Sequence, residues 1–595
     1  MYKSVKRPSA GGGLMLRRLF FKLLPVQAAI IAMGGINSIV DGVAAARFIS
    51  PETVGVVGLY YSMLRILEAT GSILLGGTAV FSGKYLGSGK IDRARGVCTL
   101  GMAVALTVGL GLSAVSLFSP GTVAGALGAS AELREALSDY VRGYAIGIVP
   151  LLVGQQGAAC LQLERQERRG KLAVLVMIAV NTLLDLLLVG VWRMGVWGLA
   201  LATSLANWAY FLVVFQHFTT KDAQLSPSPR DMDRRELLPL LKTGFPNALL
   251  VICLAARSLV INSLLLRFAG EDGLSAMASF NMVVDLILAV AMGAGALVRM
   301  LSSVLIGEEN REGLLALARI LVRNVSLMML GVAVGLYAGA PVLAGVFFPD
   351  TGSAVYELSR QLFTVYSFCV LLSTMCIAWS SYFQAAGHSL FVNLISVVDG
   401  FFSMVVPALL LSPRLGALGV WLAFPIGLGI VLALTALYPV VRLRRLPRSP
   451  DEWLLIPPDF GTGEHLMLEL YNMEDVVQTA LKVQRFCDGH GLSAKIAAHA
   501  GLCLEEMAGN IVRHGFGADS YTHCVEVRAV PQPDGVVLRI KDDCIAFNPR
   551  EWQELTVVRD PCANVGIRLV FALAEEVSYQ NLLGLNVLTI RLNNR

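Results

Sequence analysis

Gly195-Val-Trp-Gly198-Leu-Ala-Leu-Ala202 returns as Gly416-Ala-Leu-Gly419-Val-Trp-Leu-Ala423, an offset of 416 − 195, that is 221 residues. Lys22-Leu-Leu-Pro25 and Lys242-Thr-Gly-Phe-Pro246 match at the same shift between their prolines, and the loop glycine Gly87 pairs with Gly307 at nearly that shift. So long a period marks two copies of one structural unit. Each copy holds six apolar runs of about 18 or more residues, long enough to cross roughly 30 Å of hydrocarbon as a helix. The expected spans are residues 19–46, 53–80, 97–118, 138–161, 171–190 and 195–216, then 243–266, 275–300, 317–345, 361–384, 391–411 and 416–440. The fold class is therefore an all-α polytopic membrane protein of about twelve helices in two six-helix lobes. Composition agrees. Of the 595 residues 55% are hydrophobic and 15% charged, and mean hydropathy is +0.64, whereas a soluble domain carries roughly 25% charge.

Basic residues gather on alternate loops: Lys84, Lys90, Arg93 and Arg95; Arg165, Arg168, Arg169 and Lys171; Lys221, Arg230, Arg234, Arg235 and Lys242. The positive-inside rule puts these loops in the cytoplasm, and an even helix count puts both termini there, in a multi-pass protein of the cell membrane. Equivalent loops of the two halves share one side, so the repeats run parallel and frame a cavity between two lobes. The net charge of +5 reflects this loop bias and no nucleic-acid binding. The basic start before the first apolar run reads as a retained helix, because the run is too long for a cleaved leader. Ten cysteines without a CxxC pair point to reduced thiols.

A carboxylate in a membrane helix core costs about 2.5–3.5 kcal/mol, so it faces a wet cavity or a partner. Asp41 and Asp185 are such groups. Asn181 and Asp185, four apart, share one helix face, where an amide and a carboxylate can hold a sodium ion or a proton. The plainer alternative is that Asp185 caps or pairs locally and that Asp41 lies near the outer surface beside Arg47. Arg65 and Glu68 read as a helix-face ion pair, and Asp285 with Asn281 and Asp399 with Asn393 as candidates to line a cavity in the second lobe.

Asn181-Thr-Leu-Leu-Asp185 followed by Gly195-Val-Trp-Gly198-Leu-Ala-Leu-Ala-Thr203 resembles the fifth-to-sixth helix signature of the MATE multidrug exporters. Asp41, Tyr85-Leu-Gly-Ser-Gly-Lys-Ile-Asp-Arg-Ala94 and Gly244-Phe-Pro246 extend the resemblance over residues 19–440. It implies a V-shaped pair of bundles that exports amphipathic cations or other drugs in exchange for protons or sodium ions, with Asp41, Asn181, Asp185 and Thr203 as the cation-coupling set. Arg257 and Asn262 occupy the seventh helix, where another branch of the family carries an acidic ligand, so coupling is expected in the first lobe. Wider relatives move lipid-linked saccharides or peptidoglycan precursors, which keeps a lipid-linked precursor flippase as an alternative.

Pro447, Pro450, Pro457 and Pro458, with Gly461 and Gly463, end the helical pattern and mark a flexible linker over 442–463. The expected division is a cytosolic segment 1–18, a first lobe 19–217, an inter-lobe linker 218–242, a second lobe 243–441 and a cytosolic domain 464–595. That domain reads as strand, two helices, two strands, helix, then strands, an α/β sandwich. Leu504-Glu-Glu-Met-Ala-Gly-Asn510-Ile-Val-Arg-His514 resembles the N-box helix of GHKL (Bergerat-like) ATP-binding domains, especially those of anti-sigma-factor serine kinases. Glu506 and Asn510 share one face, so the amide oxygen can reach Mg2+ while the carboxylate acts as a base. Asp542-Asp-Cys-Ile-Ala-Phe547-Asn-Pro549 resembles the adenine loop, Gly566-Ile-Arg-Leu-Val the second glycine segment, and Gly584-Leu-Asn586 the last hairpin. The resemblance implies ATP and Mg2+ as cofactors, with Asn510 as metal ligand, Asn510, Asp542 and Gly566 at the nucleotide, and Glu506 catalytic if the domain turns over. Cys544 and Ala563-Asn564 depart from the family, standing where glycines let the backbone approach the nucleotide.

The whole chain then reads as a cation-coupled exporter with a nucleotide- or partner-sensing domain. Its expected partners are a small-molecule substrate, membrane lipid and a cytosolic regulatory protein. The alternative from another class is a membrane-tethered serine kinase or anti-sigma-like switch. No GxxxxGK[ST] loop is present, which argues against ATP-driven pumping.

Overall fold

The computed structural model describes residues 13–49, 53–127, 133–164, 166–220, 223–461, 463–516, 523–550 and 565–593, except for the side chains of residues 33–48, 53–55, 57–58, 61–62, 167 and 282. The first half holds α1 (Gly13–Phe48), α2 (Thr53–Gly87), α3 (Ile91–Phe118), the short α4 (Pro120–Ala126), α5 (Arg134–Leu163), α6 (Glu167–Leu184) and α7 (Gly195–Phe218). The second begins with α8 (Leu237–Gly307), whose 71 residues would run about 105 Å if straight. No bilayer accommodates that length, and the chain breaks at Gly270, where φ 63° and ψ −154° suit a residue without Cβ.

There follow α9 (Arg311–Arg319), α10 (Ser326–Phe347), α11 (Ala354–Ser367), α12 (Cys369–Ala385), α13 (Ser389–Val397), α14 (Ser403–Leu415) and α15 (Ala417–Leu443). The pair α11 and α12 is bent by 47°. Among the described residues ten helices are long and apolar enough to cross a membrane, and eleven with that bent pair. α1, 36 residues long, precedes them. Three π-helical turns interrupt the described helices: Asp185–Val191 after α6, Ile320–Val325 between α9 and α10, and Val398–Phe402 between α13 and α14.

The repeat shows itself where the lobes meet. A Cβ on Gly87 would lie 2.1 Å from the Val304 carbonyl oxygen, and one on Gly307 would lie 2.0 Å from that of Lys84. Each glycine lets its own helix end press against the backbone of the other, closing a seam between α2 and α8 at the end of the bundle that carries the C-terminal domain.

The linker departs from the expected flexibility. Its short helix α16 (Pro450–Trp453) is capped by Ser449, whose hydroxyl accepts from the Glu452 amide. Arg311 Nε donates to Asp451 Oδ1 at 2.6 Å, Tyr382 Oη to the Leu454 carbonyl at 2.9 Å, and Arg445 Nη2 to Glu452 Oε1 at 2.6 Å. The prolines stop the helical pattern after α15, and side chains from α9 and α12 pin the linker in place.

The C-terminal domain runs β1 (Leu466–Leu470), α17 (Met473–Gly489), α18 (Ala494–Gly515), β2 (Val525–Gln532), β3 (Gly535–Asp542), α19 (Val565–Leu573), β4 (Glu576–Leu582) and β5 (Leu585–Asn593). Its sheet is antiparallel throughout, in the order β1-β2-β3-β5-β4. Asn472 and Ser493 cap α17 and α18 by accepting from Asp475 N and Ile496 N, which satisfies donors left open in each first turn. Along α18 Ile496, Ala500, Cys503, Leu504, Met507, Ala508 and Val512 are buried at helical spacing. That stripe packs on the sheet and turns Glu506 and Asn510 to the other face.

Candidate functional site

In the first lobe Asn181 Nδ2 donates to Asp185 Oδ2 at 3.3 Å, and the two residues are 0% and 2% exposed. Asp185 opens the π-helical turn, an interruption of the regular ladder that recurs at functional positions. Thr203 is buried on α7, which packs along α6 and this turn, and its hydroxyl donates to the Leu199 carbonyl at 3.3 Å. Asp41 falls on α1; its side chain lies outside the described residues.

The second lobe is built differently on the matching helix, where the polar residue Asp399 lies about two turns before the position that the 221-residue repeat pairs with Asp185. Asp399 stands in the π-helical turn Val398–Phe402, and Arg257 Nη1 donates to its backbone carbonyl oxygen at 3.3 Å. By the repeat, the first span of α8 corresponds to α1, so a cation of the protein itself occupies this lobe. Among the described residues no hydrogen bond joins Asp285 to Asn281, or Asp399 to Asn393. Arg65 and Glu68 do pair, at 2.7 Å.

In the C-terminal domain Glu506 and Asn510 are both half-buried on one face of α18. The Glu506 carboxylate lies so close to Gly566 that a Cβ there would sit 1.9 Å from its Oε2, which makes glycine necessary for α19 to approach α18. At the end of β3, Asp542 is 4% exposed, and its Oδ1 accepts from Asn586 Nδ2 at 2.7 Å and from Cys544 N at 3.0 Å. Burial raises the Asp542 carboxyl pKa to about 6, against those hydrogen bonds, which lower it.

In the sequence Asn586 reads only as part of a hairpin. In the fold it also faces the Cys544 and Ile545 carbonyls, at 3.3 and 3.0 Å, and its Oδ1 accepts from Tyr579 Oη at 2.8 Å. The adenine-type loop is thus fastened to β5, while Cys544 Sγ packs against Gly515 at the end of α18. An amide one turn from a carboxylate, a glycine beside them and a buried carboxyl at the loop form a donor set that fits a magnesium nucleotide. Ala563-Asn564 lie outside the described residues.

A third cluster joins this domain to the membrane part and leaves no signal in the sequence. Lys541 Nζ lies 2.6 Å from Glu308 Oε2 and 3.9 Å from Glu526 Oε1, with the Lys541 and Glu308 side chains 10% and 2% exposed. Arg528 Nη1 donates to the Glu308 carbonyl at 2.8 Å, Arg539 Nη1 to that of Gly87 at 3.2 Å, and Leu583 N to that of Leu163 at 3.1 Å. Burial raises the pKa of Glu526 and lowers that of Arg528. The sheet therefore touches the ends of α2 and α5 from one lobe and of α8 from the other.

Comparison with known proteins falls into two parts. The MatE family model matches residues 32–189 and 246–409, together more than half of the chain. The model described as a histidine kinase-like ATPase domain matches residues 471–592. The chain is 20% identical over 411 residues to the multidrug export protein MepA of Staphylococcus aureus (strain N315), covering 67% of this chain and 89% of the relative. With the MepA of Staphylococcus haemolyticus (strain JCSC1435) it shares 22% over 272 residues, 44% of this chain and 60% of that one. Among solved structures it is similar to an outward-facing multidrug resistance MATE family transporter of the MOP superfamily, with TM-score 0.67 at 20% identity over 73% of this chain and 98% of that chain. A MOP superfamily transporter from Pyrococcus furiosus Vc1 gives TM-score 0.66 with the same identity and coverage.

Proposed function

The chain belongs to the MatE family, and on that premise we propose that it is a secondary exporter of drugs or other amphipathic small molecules, driven by exchange against protons or sodium ions. The buried Asn181–Asp185 pair at a π-helical turn carries this reading. An ionised carboxylate is costly at that depth, and a proton or sodium ion on Asp185 removes the cost. Asp41 and Thr203 complete the coupling set. Arg257 beside Asp399 already supplies a positive charge in the second lobe, which favours the first lobe as the seat of coupling. Neutralisation alters the packing of α6 against α7, and substrate leaves as the lobes rearrange.

The C-terminal domain, residues 464–595, is the regulator in this proposal and lies with both termini in the cytoplasm. Asn510 would hold Mg2+, Asp542 would receive the adenine amino group and Gly566 would admit the phosphates. Glu506 would orient water or a hydroxyl. A bound nucleotide supplies charge and bulk beside α18 and α19, and a cytosolic protein docking there would act on the same elements. Contacts from the sheet to both lobes give either event a path to the transporter.

The test is ion-driven efflux in proteoliposomes. Asp185→Asn keeps the hydrogen bond from Asn181 and removes the titratable charge, and efflux is expected to fall to background. Unchanged efflux would overturn the coupling assignment.

A further inference from the structure

Arg299 lies on the second span of α8, eight residues before Gly307 and so about 12 Å inside the closed seam. A guanidinium keeps its charge in a protein and offers five donors. Here Nη1 donates to Gln384 Oε1 at 3.3 Å, while Nε is buried without an acceptor. Among the described residues no carboxylate pairs with Arg299. Asp285, the acidic residue of the same span, is fourteen positions away, about 21 Å along the helix. Glu308, beyond the seam, is engaged by Lys541.

The surrounding amides are spoken for. Gln384 Nε2 donates to the Thr243 carbonyl at 2.8 Å and to Asn247 Oδ1 at 3.3 Å, and Asn247 Nδ2 donates to the Ser72 carbonyl at 3.3 Å. Ser72 belongs to α2 in the first lobe, and the others to α8 and α12 in the second. Arg299 thus ends a chain of amides that bridges the lobes, at a place that opens as they part. Arg299 as a residue is half-buried, and its Nε is enclosed while the lobes are closed, so an acceptor can reach it as they part. The donors that remain open can be satisfied by an acceptor from outside, and a negative one removes the cost of the uncompensated charge.

We infer that Arg299 receives the anionic head of the transported molecule, whose class is an amphipathic organic anion: a carboxylate, sulfonate or phosphate on an apolar body. The assignment rests on the exporter reading and adds the substrate class to it.

The test is fluorescence titration of the detergent-solubilised full chain with two dansyl probes of equal chain length, one ending in a carboxylate and one in an amine, with short-chain phosphatidate as competitor. Wild type is expected to prefer the carboxylate. Arg299→Gln weakens that affinity roughly tenfold or more, leaves the amine unmoved, and Arg299→Lys restores most of the loss. Gln384→Glu, which gives Arg299 a carboxylate inside the protein at the cost of the bonds to Thr243 and Asn247, is expected to abolish anion binding, and the wild-type preference needs no substitution, so the assignment stays testable even where a variant fails to fold. Competition by phosphatidate in an Arg299-dependent manner identifies a lipid headgroup as the source; its absence, with the soluble probe binding, identifies a free anion. Equal carboxylate affinity in Arg299→Gln or Gln384→Glu, or a wild-type preference for the amine, overturns the assignment. The titration uses no ion gradient, so failure of the Asp185 coupling would leave its result untouched.

Discussion

Asp542 shows how one residue sets a pH dependence. Its carboxyl is buried, and its pKa rises from 3.8 to about 6 on folding. A raised carboxyl contributes stability that is fully present below the unfolded value and is lost as pH rises through the folded one. Between pH 4 and pH 7 the ionised group therefore costs the domain about 3 kcal/mol. Asp542→Asn keeps an acceptor for Asn586 and Cys544 N without the charge. It should raise the stability of the domain at pH 7.5 by up to about 3 kcal/mol, a gain that disappears by pH 4. Hydrogen exchange of β3 and β5 in the full chain at both pH values checks this, and an equal gain at both would contradict the assignment. Asn586→Ala removes the loop's fastening and should cost about 1–3 kcal/mol in the same measurement. Glu506, Asn510 and Asp542 were legible because short motifs carry them. The part played by Asn586 was not, since it depends on the β3–β5 register that sets Asp542 opposite Asn586, 44 residues along the chain.

At the scale of elements, periodicity and length made the helices legible, and the 221-residue repeat made the lobes so. The π-helical turns at Asp185–Val191 and Val398–Phe402 escaped, because one extra residue in a turn leaves no mark on composition. The pinned linker escaped for a related reason: Pro450 and Gly461 read as breaks, while Arg311 and Tyr382, which hold the segment, come from far earlier in the chain. The seam glycines offer a direct test. Gly307→Ala puts a Cβ 2.0 Å from the Lys84 carbonyl oxygen, so α2 and α8 must separate by more than about 1 Å to restore ordinary contact. The substitution should favour the arrangement in which this end of the bundle is open. Spin labels at Ser88 and Glu309, both exposed, would report it as a distance distribution shifted outward from that of the parent. An unchanged distribution would mean that the seam does not set the balance.

For the whole molecule, the question is what the C-terminal domain does to that seam. Exchange across a membrane requires each end of the bundle to open in turn, and the sheet contacts Gly87 from one lobe and Glu308 from the other at one of those ends. Lys541 is central because it is buried against Glu308 with Glu526 close by. Lys541→Met leaves the buried Glu308 carboxylate with only Arg539 Nη1, 3.9 Å away, as a cation, a loss of up to about 3–5 kcal/mol, and the domain should undock. Adding Glu308→Met removes the unpaired carboxylate at the seam, so the double variant should dock better than the single one, short of the parent by what Glu526 loses without Lys541. Hydrogen exchange of β2 and β3 reads docking, and the initial rate of ion-driven efflux reads the consequence. If the domain is a latch, the single variant exchanges faster and transports several-fold faster, and the double variant returns both values toward the parent. If undocking leaves the efflux rate where it was, the contacts to the two lobes are an anchor for the domain and exert no control over transport.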